Sequence, residues 1–160
     1  DKKLNAHLTQ QHHDTKHRLI SKKKQIMLCK IASYFTSNEI LVVGNSKNAA
    51  SLLSLARPNS SVRVVEDFCE MQTSKQQFDL VYVENLNTNN NLVALFEKTL
   101  QTTNKNCVFI FEGIYTNTAN TKVWKHLITF KEVSVSIDGF YLGLVFLKKG
   151  QEKQHFTLRL

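Results

Sequence analysis

The sequence predicts an α/β layered sheet, and three observations carry that expectation. Apolar runs of strand length recur at 39–43, 62–65, 78–83 and 107–111. Segments with helical spacing fall between several of them. The chain then closes on two short runs either side of Asp138-Gly139, which read as an antiparallel hairpin.

The elements follow in order. Residues 1–21 are polar, basic and rich in His and Gln, and read as an arm. From Lys22 to Phe35, apolar side chains at Met27, Ile31, Tyr34 and Phe35, with Leu28 alongside, recur at helical spacing. That phase places the lysines on the opposite, solvated face. Thr36-Ser37-Asn38 ends the helix. Glu39 to Val43 is a strand, and 47–56 a helix stopped by Arg57-Pro58-Asn59. Val62 to Val65 is a second strand. Phe78 to Val83 is almost continuously apolar, as in a strand covered on both faces.

An Asn-rich turn, Glu84 to Asn91, leads to a helix with Leu92, Leu95, Phe96, Thr99 and Leu100 inward. Cys107 to Phe111 is a fourth buried strand. A helix around Trp124, Leu127 and Ile128 precedes the alternating stretch Val133 to Ile137, and Leu142 to Leu147 is apolar again. The expected core includes Leu41, Val43, Val81, Val83, Phe109, Ile110, Trp124 and Val145. The domain is therefore expected at 22–160.

Composition narrows the class. The 160 residues suit one domain, and 42% hydrophobic content can build its core. No apolar run approaches the roughly 18 residues needed to span a membrane, so no membrane association is expected. Asp1 in place of Met suggests a trimmed start. Three cysteines without repeating spacing argue against disulfides and for a reducing, cytoplasmic setting. Cys29 and Cys107 read as small core residues. The formal charge of +8 is concentrated in Lys16, Arg18, Lys22, Lys23, Lys24 and Lys30. Such a cluster can meet phosphate groups, although a solvated helix face explains it as well.

One motif points to chemistry. Glu39-Ile40-Leu41-Val42-Val43-Gly44-Asn45-Ser46-Lys47-Asn48 reads as a buried strand, a glycine turn and the first turn of a helix. Glycine there lets the backbone approach a nucleotide-like ligand closely. About twenty residues on, the strand at 62–65 ends in Glu66, a spacing at which a carboxylate commonly bonds ribose hydroxyls. The skeleton is that of an adenosyl-cofactor fold.

The order of elements and the closing hairpin resemble the class I S-adenosylmethionine-dependent methyltransferases. Phe78-Asp79-Leu80-Val81-Tyr82-Val83, the strand 107–111, Gly143-Leu144-Val145-Phe146 and Gln154-His155-Phe156-Thr157-Leu158-Arg159 carry the likeness over about residues 25–160. The resemblance implies a Rossmann-like methyltransferase fold: a mostly parallel sheet with a C-terminal antiparallel hairpin. It implies S-adenosylmethionine as cofactor, with Gly44, Ser46, Glu66 and Glu84 as the cofactor-binding residues.

The departures are as informative. Val42 stands where the family usually has an acid, and Asn48 where it has a second glycine. Only about a dozen residues separate Glu66 from Asp79, so one outer strand and its helix, with the adenine cover, are expected to be missing. Relatives often carry Asp-Gly after the third strand read here and paired aspartates after the fourth. This chain has Glu84-Asn85 and Glu112-Gly113. These longer acids would displace a magnesium ion, so no metal is expected.

Other candidates are weaker. Tyr115 and Glu112 lie after the fourth strand, where ligands bind in open α/β sheets. His13 and His17 are four apart, with His12 beside them, and lack a third metal ligand in any clear geometry. Trp124 has core spacing, and His126 and His155 have no evident partners. The expectation is a degenerate methyltransferase-like domain with weak or no catalysis and a binding or scaffolding role, for nucleic acid or protein, through Lys22, Lys23 and Lys24. The alternative is an active minimal methyltransferase with catalytic residues unassigned. A binder of another nucleotide is disfavoured by the absence of G-x-G-x-x-G.

Overall fold

The computed structural model describes residues 21–45, 47–66, 77–84, 86, 92–101 and 103–159, apart from the side chain of Leu95. Four helices and seven strands lie within them. They run in the order α1 (Lys22–Tyr34), β1 (Glu39–Val43), α2 (Lys47–Ala56), β2 (Ser61–Val65), β3 (Phe78–Val83), α3 (Leu92–Leu100), β4 (Thr103–Glu112), α4 (Thr118–Leu127), β5 (Val135–Asp138), β6 (Leu142–Phe146) and β7 (Gln154–Thr157).

The strands form one sheet in the order β2-β1-β3-β4-β6-β5-β7. The β2, β1, β3 and β4 strands pair in parallel. The β6 strand runs antiparallel to both β4 and β5, and β7 lies parallel to β5 at the far edge. The predicted parallel sheet and closing hairpin are both present. Among the described residues no strand lies beyond β2. Residues 67–76, from which an outer strand would come, are outside the described part.

Strand alternation divides the core into two layers. Leu41, Val43, Val81, Val83, Phe109 and Phe111 face one side, packing with Phe96 of α3 and Trp124 and Leu127 of α4. Ile40, Val42, Leu80, Tyr82, Val108 and Ile110 face the other, against Leu28, Ile31 and Ala32 of α1 and Ala49 and Leu53 of α2. Phe96 is the hub of the first layer, with ring centroids 5.0 Å from Phe109, 5.4 Å from Phe130 and 6.0 Å from Phe111. All eight residues expected in the core are at most 1% exposed.

The first helix is where the predicted phase is wrong. Its buried face is Leu28, Ile31 and Ala32, while Tyr34 is 81% exposed. Leu28 and Ile31 share a face with the residue one turn before Leu28, which is Lys24. Lys24 is accordingly half-buried, whereas Lys22, Lys23 and Lys30 are exposed. Cys107 is buried as expected, but Cys29 is only half-buried. At the opposite edge, Asp79 ties three strands together. It accepts from the backbone N–H of Asn38 (3.1 Å) and Glu39 (3.0 Å) and from Asn104 Nδ2 (2.5 Å).

Candidate functional site at the carboxyl edge of the sheet

Parallel pairing places the chemically interesting residues in one row. Val43 is level with Val65 and Val83, and Val83 with Phe111. One residue further on, Glu66, Gly44, Glu84 and Glu112 emerge side by side at the carboxyl ends of β2, β1, β3 and β4. The ladder continues into this row, with Gly44 N–H donating to Val65 O (2.8 Å) and Glu84 N–H to Val43 O (2.9 Å). In open α/β sheets this edge is where ligands bind.

Gly44 has φ +134°, a conformation that favours glycine. Its α-carbon lies tight against Glu84: a Cβ at 44 would stand 2.8 Å from both Glu84 Cβ and Oε2. The turn and the Glu84 carboxylate thus form one surface. Glu66 is exposed at the end of β2. Three of the four predicted cofactor residues therefore share the edge, and the fourth, Ser46, lies outside the described residues. Val42 is fully buried, level with Tyr82 in the neighbouring strand.

Beside this row sits a polar cluster. Lys24 Nζ of α1 is 2.6 Å from Glu112 Oε1, and Tyr82 OH donates to Glu112 Oε2 at 2.5 Å. Both carboxylate oxygens are thereby engaged. Lys24 also stands 5.8 Å from the ring centre of Tyr141. Burial, followed by the charge and hydrogen bond of Glu112, holds the Tyr82 phenol well above the usual range, with a further push from Glu84. Tyr82 is a neutral donor here. Among the described residues, no three His, Cys, Asp or Glu side chains come together in a way that could hold a metal.

The next turn adds aromatic surface. Tyr115 OH donates to Asp138 at the end of β5. That hydrogen bond, then burial, then the Asp138 charge push the Tyr115 phenol up to about 12. Phe140 adopts φ +68°, unusual for a side-chain-bearing residue, with its N–H 3.0 Å from Asp138 Oδ1. Its ring lies 5.9 Å from Tyr115 and 5.1 Å from Tyr141, and all three rings are substantially exposed. The β4 exit itself is held by Asn117, which caps α4 by accepting from the Asn120 backbone N–H, and by Asn120, which donates from Nδ2 to Gly113 O at 2.9 Å.

The sequence reading missed Lys24 and Asp138 as members of this edge. The phase Lys24-Leu28-Ile31 is the signal that could have found the first. Nothing local marks the second. Trp124 is core, as expected. His155 has a partner after all, Ser136 Oγ at 2.8 Å from its Nδ1, and the His126 ring packs against Phe130. His12, His13, His17, Lys16, Arg18 and the expected Asn87 to Asn91 turn lie outside the described residues.

No protein-family model and no curated protein matches the sequence. Solved structures do match the fold. The O-methyltransferase TomG from Streptomyces achromogenes, solved with SAM, aligns at TM-score 0.65 and 14% identity over 86% of this chain and 85% of its own. A methyltransferase from Podospora anserina, solved with SAH bound, aligns at TM-score 0.64 and 12% identity, covering 89% and 86%. The O-methyltransferase from Bacillus cereus, in complex with SAH, gives 0.54 and 16%, covering 91% and 88%. This is a class I methyltransferase fold. The row Glu66-Gly44-Glu84-Glu112 thus occupies the carboxyl edge of a methyltransferase-like sheet. No described helix is long and apolar enough to cross a membrane.

Proposed function

We propose that this chain is a methyltransferase-like protein that takes S-adenosylmethionine weakly, with little or no catalysis, and serves mainly in binding. The observation that carries the reading is Val42. It is completely buried, at the position where the resembled methyltransferases usually carry an acid that grips the cofactor. Losing one charged hydrogen bond costs on the order of 1.5–3 kcal/mol, or about ten- to hundredfold in affinity.

The residues that remain still fit the cofactor. Gly44 supplies a tight turn, Glu84 a carboxylate beside it for a cationic group, and Glu66 a carboxylate for ribose hydroxyls. When bound, S-adenosylmethionine would supply a methyl group on a sulfonium centre. Glu112 is poorly placed to take a proton from an acceptor, because Lys24 and Tyr82 already occupy both its oxygens.

The retained role would fall to the exposed Lys22 and Lys23 at the start of α1, against nucleic acid or protein. Lys24 is withdrawn from that surface by Glu112. A second reading, an active minimal enzyme, draws its support from Gly44, Glu66 and Glu84 standing together at the carboxyl ends of their strands.

Calorimetric titration with S-adenosylmethionine and S-adenosylhomocysteine separates the two. The proposal expects affinity weaker than micromolar. Micromolar binding that Glu66→Ala abolishes, with methyl transfer to any acceptor, would restore the active enzyme.

A further inference from the structure

The opposite end of the sheet holds a second feature. A cavity of about 520 Å³ opens where β4 and β5 begin and β6 ends. Its rim carries Lys105, Lys131, Lys148, Lys149 and Lys153, against a single acid, Glu132. That acid is 3.8 Å from Lys131, on the surface. Lys153 Nζ donates to Phe130 O at 3.0 Å, which anchors one ammonium to the wall and leaves its other protons free. Lys105, Lys148 and Lys149 have no partner among the described residues and are exposed. The floor is apolar, formed by Leu100, Val133 and Leu147.

Apart from the exposed Gln151, the uncharged polar side chains of the lining are already committed to the fold. Ser134 Oγ donates to Phe146 O (3.1 Å), Thr103 Oγ1 to Leu100 O (3.4 Å) and Asn104 Nδ2 to Asp79 (2.5 Å). Recognition at this cavity would therefore be by ammonium groups around an apolar bed. Like charges gathered at one rim repel, and a ligand carrying several negative charges relieves all of them together. A single carboxylate would leave most of the ring uncompensated. Lysines act as point charges on phosphate oxygens, without demanding a planar partner. The volume is that of a small-molecule site rather than a nucleic-acid channel. The turn that brings Lys148 and Lys149 round to Lys153 depends on Gly150, at φ +78°.

We propose that this cavity binds a small molecule bearing an oligophosphate, with the phosphates among Lys105, Lys148, Lys149 and Lys153 and an apolar body over Leu100, Val133 and Leu147. The site lies at the end of the strands away from Gly44 and does not rest on the methyltransferase reading.

The test is calorimetric titration of the full chain with inorganic tripolyphosphate and with adenosine triphosphate, at low and at raised salt. Both are expected to bind, less tightly as salt rises, with adenosine triphosphate the tighter of the two because its base and sugar cover the floor. The double variant Lys148→Glu/Lys149→Glu should weaken both by about tenfold or more, with an unchanged melting temperature. Lys122→Glu, at an exposed position of α4 outside the cavity lining, should leave both unchanged. Three results would overturn the proposal. One is no heat from either ligand at low salt. Another is equal weakening by the two charge reversals, which would mean a diffuse surface effect. The third is an RNA oligonucleotide that binds through Lys148 and Lys149 and that tripolyphosphate fails to displace. Adenosine triphosphate binding no more tightly than tripolyphosphate would refute the apolar part.

Discussion

Lys24 and Glu112, 88 residues apart, meet at 2.6 Å and tie the first helix to the end of the fourth strand. Their side chains are 25% and 17% exposed, so the pair is neither a loose surface contact nor fully dry. Removing one partner leaves the other charge half-buried, with Tyr82 the only remaining side-chain donor to Glu112 among the described residues. Lys24→Ala and Glu112→Ala should each destabilise by about 1–3 kcal/mol. The double variant should cost less than the sum by about 1 kcal/mol. Urea unfolding of the four proteins gives this coupling. Strict additivity would show that the two groups do not interact in solution.

Gly143 offers a sharper packing test. A Cβ there would lie 2.6 Å from Trp124 Cη2 and Cζ3 and 2.9 Å from Cε3. Trp124 is 1% exposed and packs on Phe111, with ring centroids 6.2 Å apart, so the indole has little room to yield. Gly143→Ala should cost about 1–3 kcal/mol through overpacking. It should also perturb the tryptophan fluorescence, which reports one residue because the chain has one Trp. An unchanged melting temperature would mean that α4 docks differently on the sheet.

The strands were readable because both faces of the sheet are covered. Stretches such as Phe78-Asp79-Leu80-Val81-Tyr82-Val83 have no solvent side to dilute the apolar run. The edge strand β7 was not, because Gln154, His155, Phe156 and Thr157 are all exposed and carry no burial pattern. It is held by backbone pairing to β5 and by Ser136 against His155. In β5 itself the polar members Ser136 and Asp138 are the buried ones, while Val135 and Ile137 are half-buried. Of the site, Gly44, Glu66 and Glu84 could be placed from strand ends alone. Lys24 with Glu112, and Tyr115 with Asp138, depend on how distant segments dock, which local spacing does not encode.

The Tyr115–Asp138 hydrogen bond has a titration signature. The phenol is pushed up from the ordinary value near 10 to about 12. The folded state therefore keeps a proton that the unfolded chain gives up. The stabilisation is complete below pH 10 and is lost as pH rises through 12. Because Tyr115 is 41% exposed, its energetic share is screened and small, but the absorbance change is direct. The difference at 295 nm between the wild type and Tyr115→Phe should stay flat to about pH 10 and rise towards pH 12. In an Asp138→Asn background the rise should come earlier. The same curve in both backgrounds would show that Asp138 does not hold the phenol.

Asn48 provides the least invasive way to probe the cofactor reading. It sits in the first turn of α2, half-buried, where the resembled family has a glycine that leaves space. Asn48→Gly should cost only about 0.3 kcal/mol of helix propensity, because Asn is itself a poor helix former. If crowding at this turn weakens S-adenosylmethionine, affinity should rise by up to about tenfold. Asn48→Ala separates space from backbone freedom. Most of the gain should appear with Ala if the side chain is the obstacle, and only with Gly if the backbone must move. Gly44→Ala is the opposing control. It combines a strained φ with a clash against Glu84, so it should remove whatever affinity exists. Calorimetry on the three variants, with circular dichroism to confirm folding, decides the matter. Unchanged affinity in both Asn48 variants would clear this turn and leave Val42 as the main source of the weakness.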